Sequence, residues 1–424
     1  MPIVRFFFTL VFIVCSVAGY SRPSYGSELI SFSQLKRLGA FRVPNDDSNY
    51  ARGVIEINPV NHSFYLVGHE HRNHVAEFGL PATLSSSVNL NTLSTAIQTQ
   101  DYQNIMQHAS GGNSELIEKI GGLKLITDSS GNQKLIGAGY EYYDTSGQTY
   151  THFVVDDPDD LASSNVGGYF PIEGPARKQS GYMVTLPPKW RQIFGKTHIA
   201  GQSSGLPIIG GLSVGPAAYA VNLSEIGNQA NPDTITLLEY DLSQTLNPGG
   251  SGDLANASRN NDIWTHLSRA VGAFVYGDTL GFLGHSGGHN EGIGYKTSIV
   301  NPCTGTGGYG ANNCDYDYHY WFYDLNELEQ VMDGNQNAHD IQPYEHGPFF
   351  LPFGDGRNGT GGIATDPSTG RIYLTQLSAD REASYSNLPL IQVFEITGNT
   401  LPGPVNPSPT STNLPFLSIL LLSD

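Results

Sequence analysis

Two stretches of this chain, far apart in the sequence, share one hairpin pattern. Residues 53–68 read GVIEINPVNHSFYLVG, and residues 361–376 read GGIATDPSTGRIYLTQ. In each stretch an apolar run leads into a proline turn, and a tyrosine follows six positions after the proline, at Tyr65 and Tyr373. Two such runs joined by a turn predict a pair of antiparallel strands. A hairpin pattern that occurs both early and late in a chain is typical of a fold built from repeated units.

Five longer units emerge when their third strands are aligned. The candidate third strands are HVAEFGLP (74–81), HFVVDDP (152–158), ITLLEYDLS (235–243), HYWFYDLN (319–326) and LIQVFEIT (390–397). Each follows candidates for two earlier strands, and residues 86–112 read as a polar insertion between units. Five four-stranded units predict an all-β fold, a single five-bladed β-propeller with antiparallel blades. The N-terminal run LGAFRVP (38–44) is expected to supply the outer strand of the last unit and so to close the ring.

The last unit carries a family resemblance. The pattern PFG…GGIATDPSTGRIYLTQ…LIQVFEI resembles the NHL and YWTD-like class of propeller repeat, and NHVAEF in the first unit is similar to its third strand. The resemblance implies the propeller fold. It implies no particular chemistry, because this fold hosts lyases, lactonases, receptors and scaffolds.

The charge of the chain limits its partners. The 424 residues carry a formal net charge of −18, so the general basic footprint of a nucleic-acid-binding protein is absent. An anionic ligand would therefore need a local basic pocket. No motif for an organic cofactor is present, and His69 and His71, two positions apart, leave a metal site open as a hypothesis.

The chain ends predict export. Residues 1–19 have the positive start, apolar run and small residues of a signal peptide, which predicts a secreted protein, extracellular or periplasmic. Cys303 and Cys314 are then expected to form a disulfide. The propeller is predicted over 30–398, and 399–424 is a Pro/Ser/Thr linker with a short apolar tail. That tail leaves attachment to a cell surface open, and the oligomeric state is not predicted.

Polar residues end each predicted second strand. They are His69, Tyr140, Gln202, His285 and, with a one-residue shift, Gln376. Arg52 opens the first inner strand and Arg269 the fourth, 17 and 16 residues before a histidine. With one such residue at the end of the second strand in each blade, these side chains would form a ring at the mouth of the central channel.

This ring suggests two kinds of function. Arginine binds carboxylates or sulfates, and histidine or tyrosine can transfer protons. The catalytic candidates are His69, His285, Tyr140, Arg52 and Arg269. The candidates for ligand binding are Gln202, Gln376, His71, His289 and Arg381. We expect recognition of an acidic carbohydrate, with lyase-type or hydrolytic cleavage left open. The alternatives are a hydrogen-bonded polar plug in the channel and a non-catalytic scaffold that binds a protein or cell-surface partner.

Overall fold

The computed structural model describes residues 28–44, 46–143, 147–204, 212–246, 254–290, 292–293, 315–383 and 386–398. These residues form five antiparallel sheets of four strands each. The first strands of successive sheets contact one another in a closed cycle, in the order β2, β6, β10, β14, β18 and back to β2. Five sheets arranged radially around one channel make a five-bladed β-propeller, as the repeats predict.

In each of the first three blades, the four strands follow in chain order from the channel outward. The first blade contains β2 (Ile55–Asn58), β3 (Ser63–Val67), β4 (Val75–Gly79) and β5 (Ile97–Gln103). The second contains β6 (Lys119–Thr127), β7 (Gln133–Tyr140), β8 (Tyr150–Val155) and β9 (Val166–Pro171). The third contains β10 (Met183–Thr185), β11 (His198–Ala200), β12 (Ala218–Val221) and β13 (Thr234–Leu238).

The last two blades complete the circle. The fourth contains β14 (Arg269–Tyr276), β15 (Thr279–Gly287), β16 (Tyr316–Asp324) and β17 (Glu345–Phe349). The fifth contains β18 (Thr360–Thr365), β19 (Ile372–Asp380), β20 (Leu388–Ile396) and, outermost, β1 (Leu35–Arg42). Two α-helices, α1 (Pro188–Phe194) and α2 (Leu325–Met332), lie between strands. Short 3-10 helices cover Phe32–Gln34, Asp46–Ser48, Leu90–Thr92, Ile105–His108, Ala176–Gln179 and Leu223–Glu225. No helix in these described ranges is long and apolar enough to cross a membrane.

Strand β1 closes the ring, as the sequence predicts. It pairs antiparallel with β20, from Leu35 opposite Ile396 to Arg42 opposite Leu390. Its Phe41 is fully buried and packs against Phe64 of the first blade, with ring centroids 5.5 Å apart. One strand therefore joins the first and last blades both by backbone hydrogen bonds and by apolar contact.

Glycines let the inner strands approach closely at this junction. A Cβ added to Gly361 would lie 2.7 Å from the Cα of Gly53, which is closer than real Cβ atoms come. The repeated hairpins of the first and last units are thus direct neighbours in the ring. Their shared glycines are required by the contact between two backbones.

Two strand assignments from the sequence are wrong. Residues 86–112 are not an insertion, because they contain β5, the outer strand of the first blade. The run ITLLEYDLS is the outer strand β13 of the third blade, and the third strand is the short segment AYAV of β12. Strand β5 is half exposed and polar, so its sequence lacks a strong apolar alternation, whereas β13 is apolar enough to resemble a third strand.

Several predictions fall outside the described residues. They are the signal peptide at 1–19, the tail at 399–424 and the Cys303–Cys314 disulfide. These remain predictions from the sequence.

Candidate functional site

The candidate site lies where inner strands begin and second strands end. In the second blade Tyr140 lies opposite Lys119, and in the fourth His285 lies opposite Arg269. Both pairs occupy the same face of the propeller, at the mouth of the channel. This register brings together four of the predicted residues, namely Arg52, Tyr140, Arg269 and His285.

The Tyr140 ring lies between two guanidinium groups. The Cζ atoms of Arg52 and Arg177 lie 5.5 and 5.7 Å from its centroid, within the range of cation–π contact. Nη2 of Arg52 donates a hydrogen bond to the Tyr140 hydroxyl. Tyr140 is 1% exposed, and burial raises the pKa of its hydroxyl although Arg52, Arg177 and Arg269 oppose this. Tyr140 therefore stays protonated and orients Arg52, and it is too buried to act as the predicted base on a substrate.

Arg52 and Arg269 reach the mouth without carboxylate partners among the described residues. Besides its bond to the Tyr140 hydroxyl, Arg52 donates to the carbonyl oxygens of Ile120 and Ser203, both at 3.4 Å. Nη1 of Arg269 donates to the carbonyls of Ser268 at 2.9 Å and His266 at 3.3 Å.

Burial lowers the pKa of Arg269 to about 10, so it is still charged at neutral pH. Arg52 is close enough to Arg269 to contribute to this lowering of its pKa. The mouth is consequently a positive region in an acidic protein.

His285 is a neutral side chain with a defined tautomer. Its Nδ1 accepts a hydrogen bond from the backbone N–H of Thr360 at 3.2 Å, and the Thr360 hydroxyl lies 2.9 Å away. Nδ1 therefore carries no proton, and Nε2 carries the ring's one N–H. Burial, helped by Arg269 and Arg52, lowers the pKa of His285 to about 3. At neutral pH His285 can donate a hydrogen bond from Nε2, but it does not fit the predicted role of general base.

His69 and His71 do not form the predicted alternating pair. Strand β3 ends at Val67, and residues 70–72 form a turn. Nδ1 of His69 accepts from the backbone N–H of His71 at 3.2 Å, and the His71 side chain is 73% exposed. No group of three or more metal-binding side chains occurs in the described part of the chain.

The remaining ligand-binding candidates serve local structure. Gln202 is buried and bonds through both ends of its amide to the backbone of Ser213, at 2.7 and 2.9 Å. Gln376 lies opposite Thr360, in the register of His285 and Tyr140, but it is fully buried and its Nε2 donates to the Tyr318 hydroxyl at 2.7 Å.

His289 and Arg381 are also held by neighbours. His289 stacks on His319 with centroids 5.1 Å apart, and its Nε2 lies 2.7 Å from the Ser286 hydroxyl. Arg381 forms an ion pair with Asp355 at 2.9 Å rather than with Asp380, which pairs with Arg42. These two side chains therefore lie outside the cluster at the mouth.

An aromatic cleft lies further out on the same face. It has a volume of about 700 Å3, and its walls include Phe349, Phe350 and Phe353 with Asp317 and Asn358. Strand β16 begins here beside the end of β15, so the cleft adjoins the blade that carries His285 and Arg269. Phe350 is 86% exposed, and Phe353 has a φ of 68°, a strained value for a bulky residue. Exposed aromatic rings and local strain of this kind concentrate at binding sites.

Sequence reasoning missed Arg177 and Thr360. Arg177 lies on the 3-10 helix Ala176–Gln179, which precedes the inner strand of the third blade as Arg52 precedes that of the first. Because this helix adds residues between Arg177 and strand β10, Arg177 does not have the spacing that Arg52 and Arg269 share. A search for any arginine within about six residues of an inner strand would have found it.

No known protein family and no curated protein matches this sequence. Solved structures with similar overall shape include an endo-arabinase from Bacteroides thetaiotaomicron, at 12% identity and a TM-score of 0.39, covering 85% of this chain and 99% of that one. A glycosyl hydrolase from Bacteroides ovatus has 10% identity and a TM-score of 0.40, with coverages of 88% and 97%. An endo-1,5-alpha-L-arabinanase from Thermotoga petrophila has 12% identity and a TM-score of 0.37, with coverages of 87% and 76%. Likeness this weak carries no conclusion about activity, and the fold rests on the sheets described above.

Proposed function

We propose that this protein binds an acidic carbohydrate at the mouth of its channel. The observation that carries the proposal is the convergence of Arg52 and Arg269, which lack a carboxylate partner in the described part of the chain. Both arginines are half-buried, and charged groups partly withdrawn from water are normally paired with an opposite charge. Arginine presents its N–H groups in a fork that matches a carboxylate or sulfate. His285 adds a neutral donor beside them.

The aromatic cleft supports a carbohydrate as the rest of the ligand. Phenylalanine rings offer large apolar faces, which suit the C–H faces of sugar rings. Asp317 and Asn358 on the same walls can bond to sugar hydroxyls. A small inorganic anion would use the arginines and leave the cleft empty. The predicted signal peptide supports an extracellular ligand.

Cleavage by proton abstraction is the second candidate. It is favoured by the contact between Arg52 and the Tyr140 hydroxyl, since a tyrosine beside a neutralised carboxylate can transfer a proton. Two observations weigh against cleavage. Tyr140 is buried, and the one acceptor nitrogen of His285 is turned toward Thr360 and not toward a substrate. We therefore place binding before cleavage.

The test is calorimetric titration with oligosaccharides of a uronic acid and with neutral oligosaccharides of equal length. We expect millimolar or tighter binding of the acidic series only. Arg52→Gln and Arg269→Gln should each weaken it about 10- to 100-fold, as expected for a charge-assisted hydrogen bond of about 1.5–3 kcal/mol. Arg371→Gln, at the β18–β19 turn on the opposite face, is the control and should bind like the wild type.

Two results would overturn the proposal. One is no preference for acidic over neutral sugars, and the other is unchanged binding in both mouth variants while they remain folded. Ultraviolet absorbance of new unsaturated chain ends, followed in the same mixtures, tests cleavage. A protein that binds without such a signal is a lectin-like propeller, and one that binds no sugar favours the scaffold.

A further inference from the structure

A cavity of about 10 Å3 has Arg269 as one of its wall residues. This is room for a single water-sized particle and is too small for a carboxylate or a sulfate. Its walls are formed by Gln202, Ser204, Ser213, Trp264, Ser268, Arg269 and Ala270. It thus joins the third and fourth blades beside the proposed sugar site.

Two buried polar atoms on these walls have no hydrogen-bond partner among the residues that the structure describes. They are Nε1 of Trp264 and Oγ of Ser204, in side chains whose residues are 2% and 4% exposed. An indole N–H can only donate, so its missing partner must be an acceptor. A buried donor without an acceptor destabilises the folded state, and native proteins rarely leave one unpaired. The cavity is therefore expected to hold a particle.

The other polar groups on the walls are mostly engaged. The amide of Gln202 is bonded through both ends to Ser213, and Oγ of Ser213 accepts from the N–H of Tyr240 at 2.9 Å. The particle consequently meets the donors of Trp264 and Ser204 beside the positive guanidinium of Arg269. A water molecule could accept from the indole N–H of Trp264 and donate to a serine hydroxyl on the walls. An anion would accept from both donors and would also offset the positive charge of the half-buried Arg269.

We propose that this cavity binds a chloride ion, held by Nε1 of Trp264, Oγ of Ser204 and the guanidinium of Arg269. The ion is a fixed counter-ion on the inner side of Arg269, and the outer side of the guanidinium still faces the mouth. The inference does not depend on the identity of the sugar, or on whether a sugar binds.

The experiment compares thermal unfolding in sodium chloride and in sodium gluconate of equal ionic strength. Gluconate is too large for the cavity, so chloride should raise the Tm of the wild type by about 1–3 °C, with a saturable midpoint in the millimolar range. Crystals grown in sodium bromide should show one anomalous peak between Trp264 and Arg269.

Two variants remove the donors. Trp264→Phe and Ser204→Ala should lose the chloride-dependent shift, and Ser204→Ala does so with little change to the core. Trp190→Phe is the matched control, because its indole N–H is already paired with the carbonyl of Gly277 at 3.1 Å. This control should melt lower in both salts and keep the full shift. Equal melting of the wild type in both salts, or a bromide derivative with no peak in the cavity, would overturn the proposal in favour of water.

Discussion

The buried histidine His152 on β8 should make the stability of this protein depend on pH. His152 is fully buried, and its Nε2 has no hydrogen-bond partner in the described ranges of the chain. Burial lowers its pKa to about 4, while an unfolded chain has a histidine pKa near 6.5. Between these two values the unfolded state binds a proton that the folded state does not. Stability must therefore fall as the pH falls from about 6.5 toward 4.

The size of this effect follows from the two pKa values. At pH 5 the protonation of this one residue favours the unfolded state by about 2 kcal/mol, and at pH 7.5 by almost nothing. His152→Phe fills the site with an apolar ring and removes the titration. The free energy of unfolding, measured in urea at pH 7.5 and pH 5, should therefore change about 2 kcal/mol less in this variant than in the wild type. The absolute stability of the variant does not enter the comparison.

The control is His71→Phe, which removes a histidine from an exposed turn and should leave the pH dependence of the wild type. The reasoning is refuted if His152→Phe and the wild type lose the same free energy between the two pH values. That result would mean that His152 takes up its proton equally well in the folded and unfolded chains.

Three further predictions concern ring closure, the site and the channel. Phe41→Ala should destabilise the protein by about 3–5 kcal/mol, against less than about 0.5 for the exposed Val60→Ala, in the same urea assay. Equal effects would show that β1 does not hold the ring together. Tyr140→Phe keeps the aromatic ring but removes the hydroxyl that accepts from Arg52, so the affinity for uronate, measured by calorimetry, should fall several-fold. An unchanged affinity would show that Tyr140 does not position Arg52. Gly361→Ala should lower the Tm by several degrees because its Cβ would collide with the backbone of Gly53, and a wild-type Tm would contradict that close approach.

Strands with strong local patterns were predictable. The inner and second strands alternate apolar residues and end at recognisable turns, so their identity can be read without knowing their neighbours. The outer strand β5 could not be recognised in this way, and β13 was recognised as a strand but assigned to the wrong position in its blade. Their pattern is set by which side happens to face solvent, and that depends on the adjacent blade.

The same distinction between local pattern and tertiary contact applies to the residues of the site. Arg52 and Arg269 were predictable because equivalent positions in repeated blades must lie on the same face. The sequence pattern fitted Gln376 only with a one-residue shift, but in the structure no shift is needed, because Gln376 lies opposite Thr360 at the start of β18 as His285 lies opposite Arg269. Its position was therefore predictable from the repeat. Its full burial and its hydrogen bond to the Tyr318 hydroxyl were not, because they depend on the neighbouring blade.

The sequence by itself determined the number of blades, the strand that closes them and the two arginines at the start of inner strands. These are properties of local alternation and of repetition. Only the tertiary structure decided that Tyr140 is buried and orients Arg52, and that His285 is a neutral hydrogen-bond donor. It also decided that a small cavity lies beside Arg269. Burial, tautomer and pairing depend on atoms from neighbouring blades, and such contacts between distant residues leave no periodic trace along the chain.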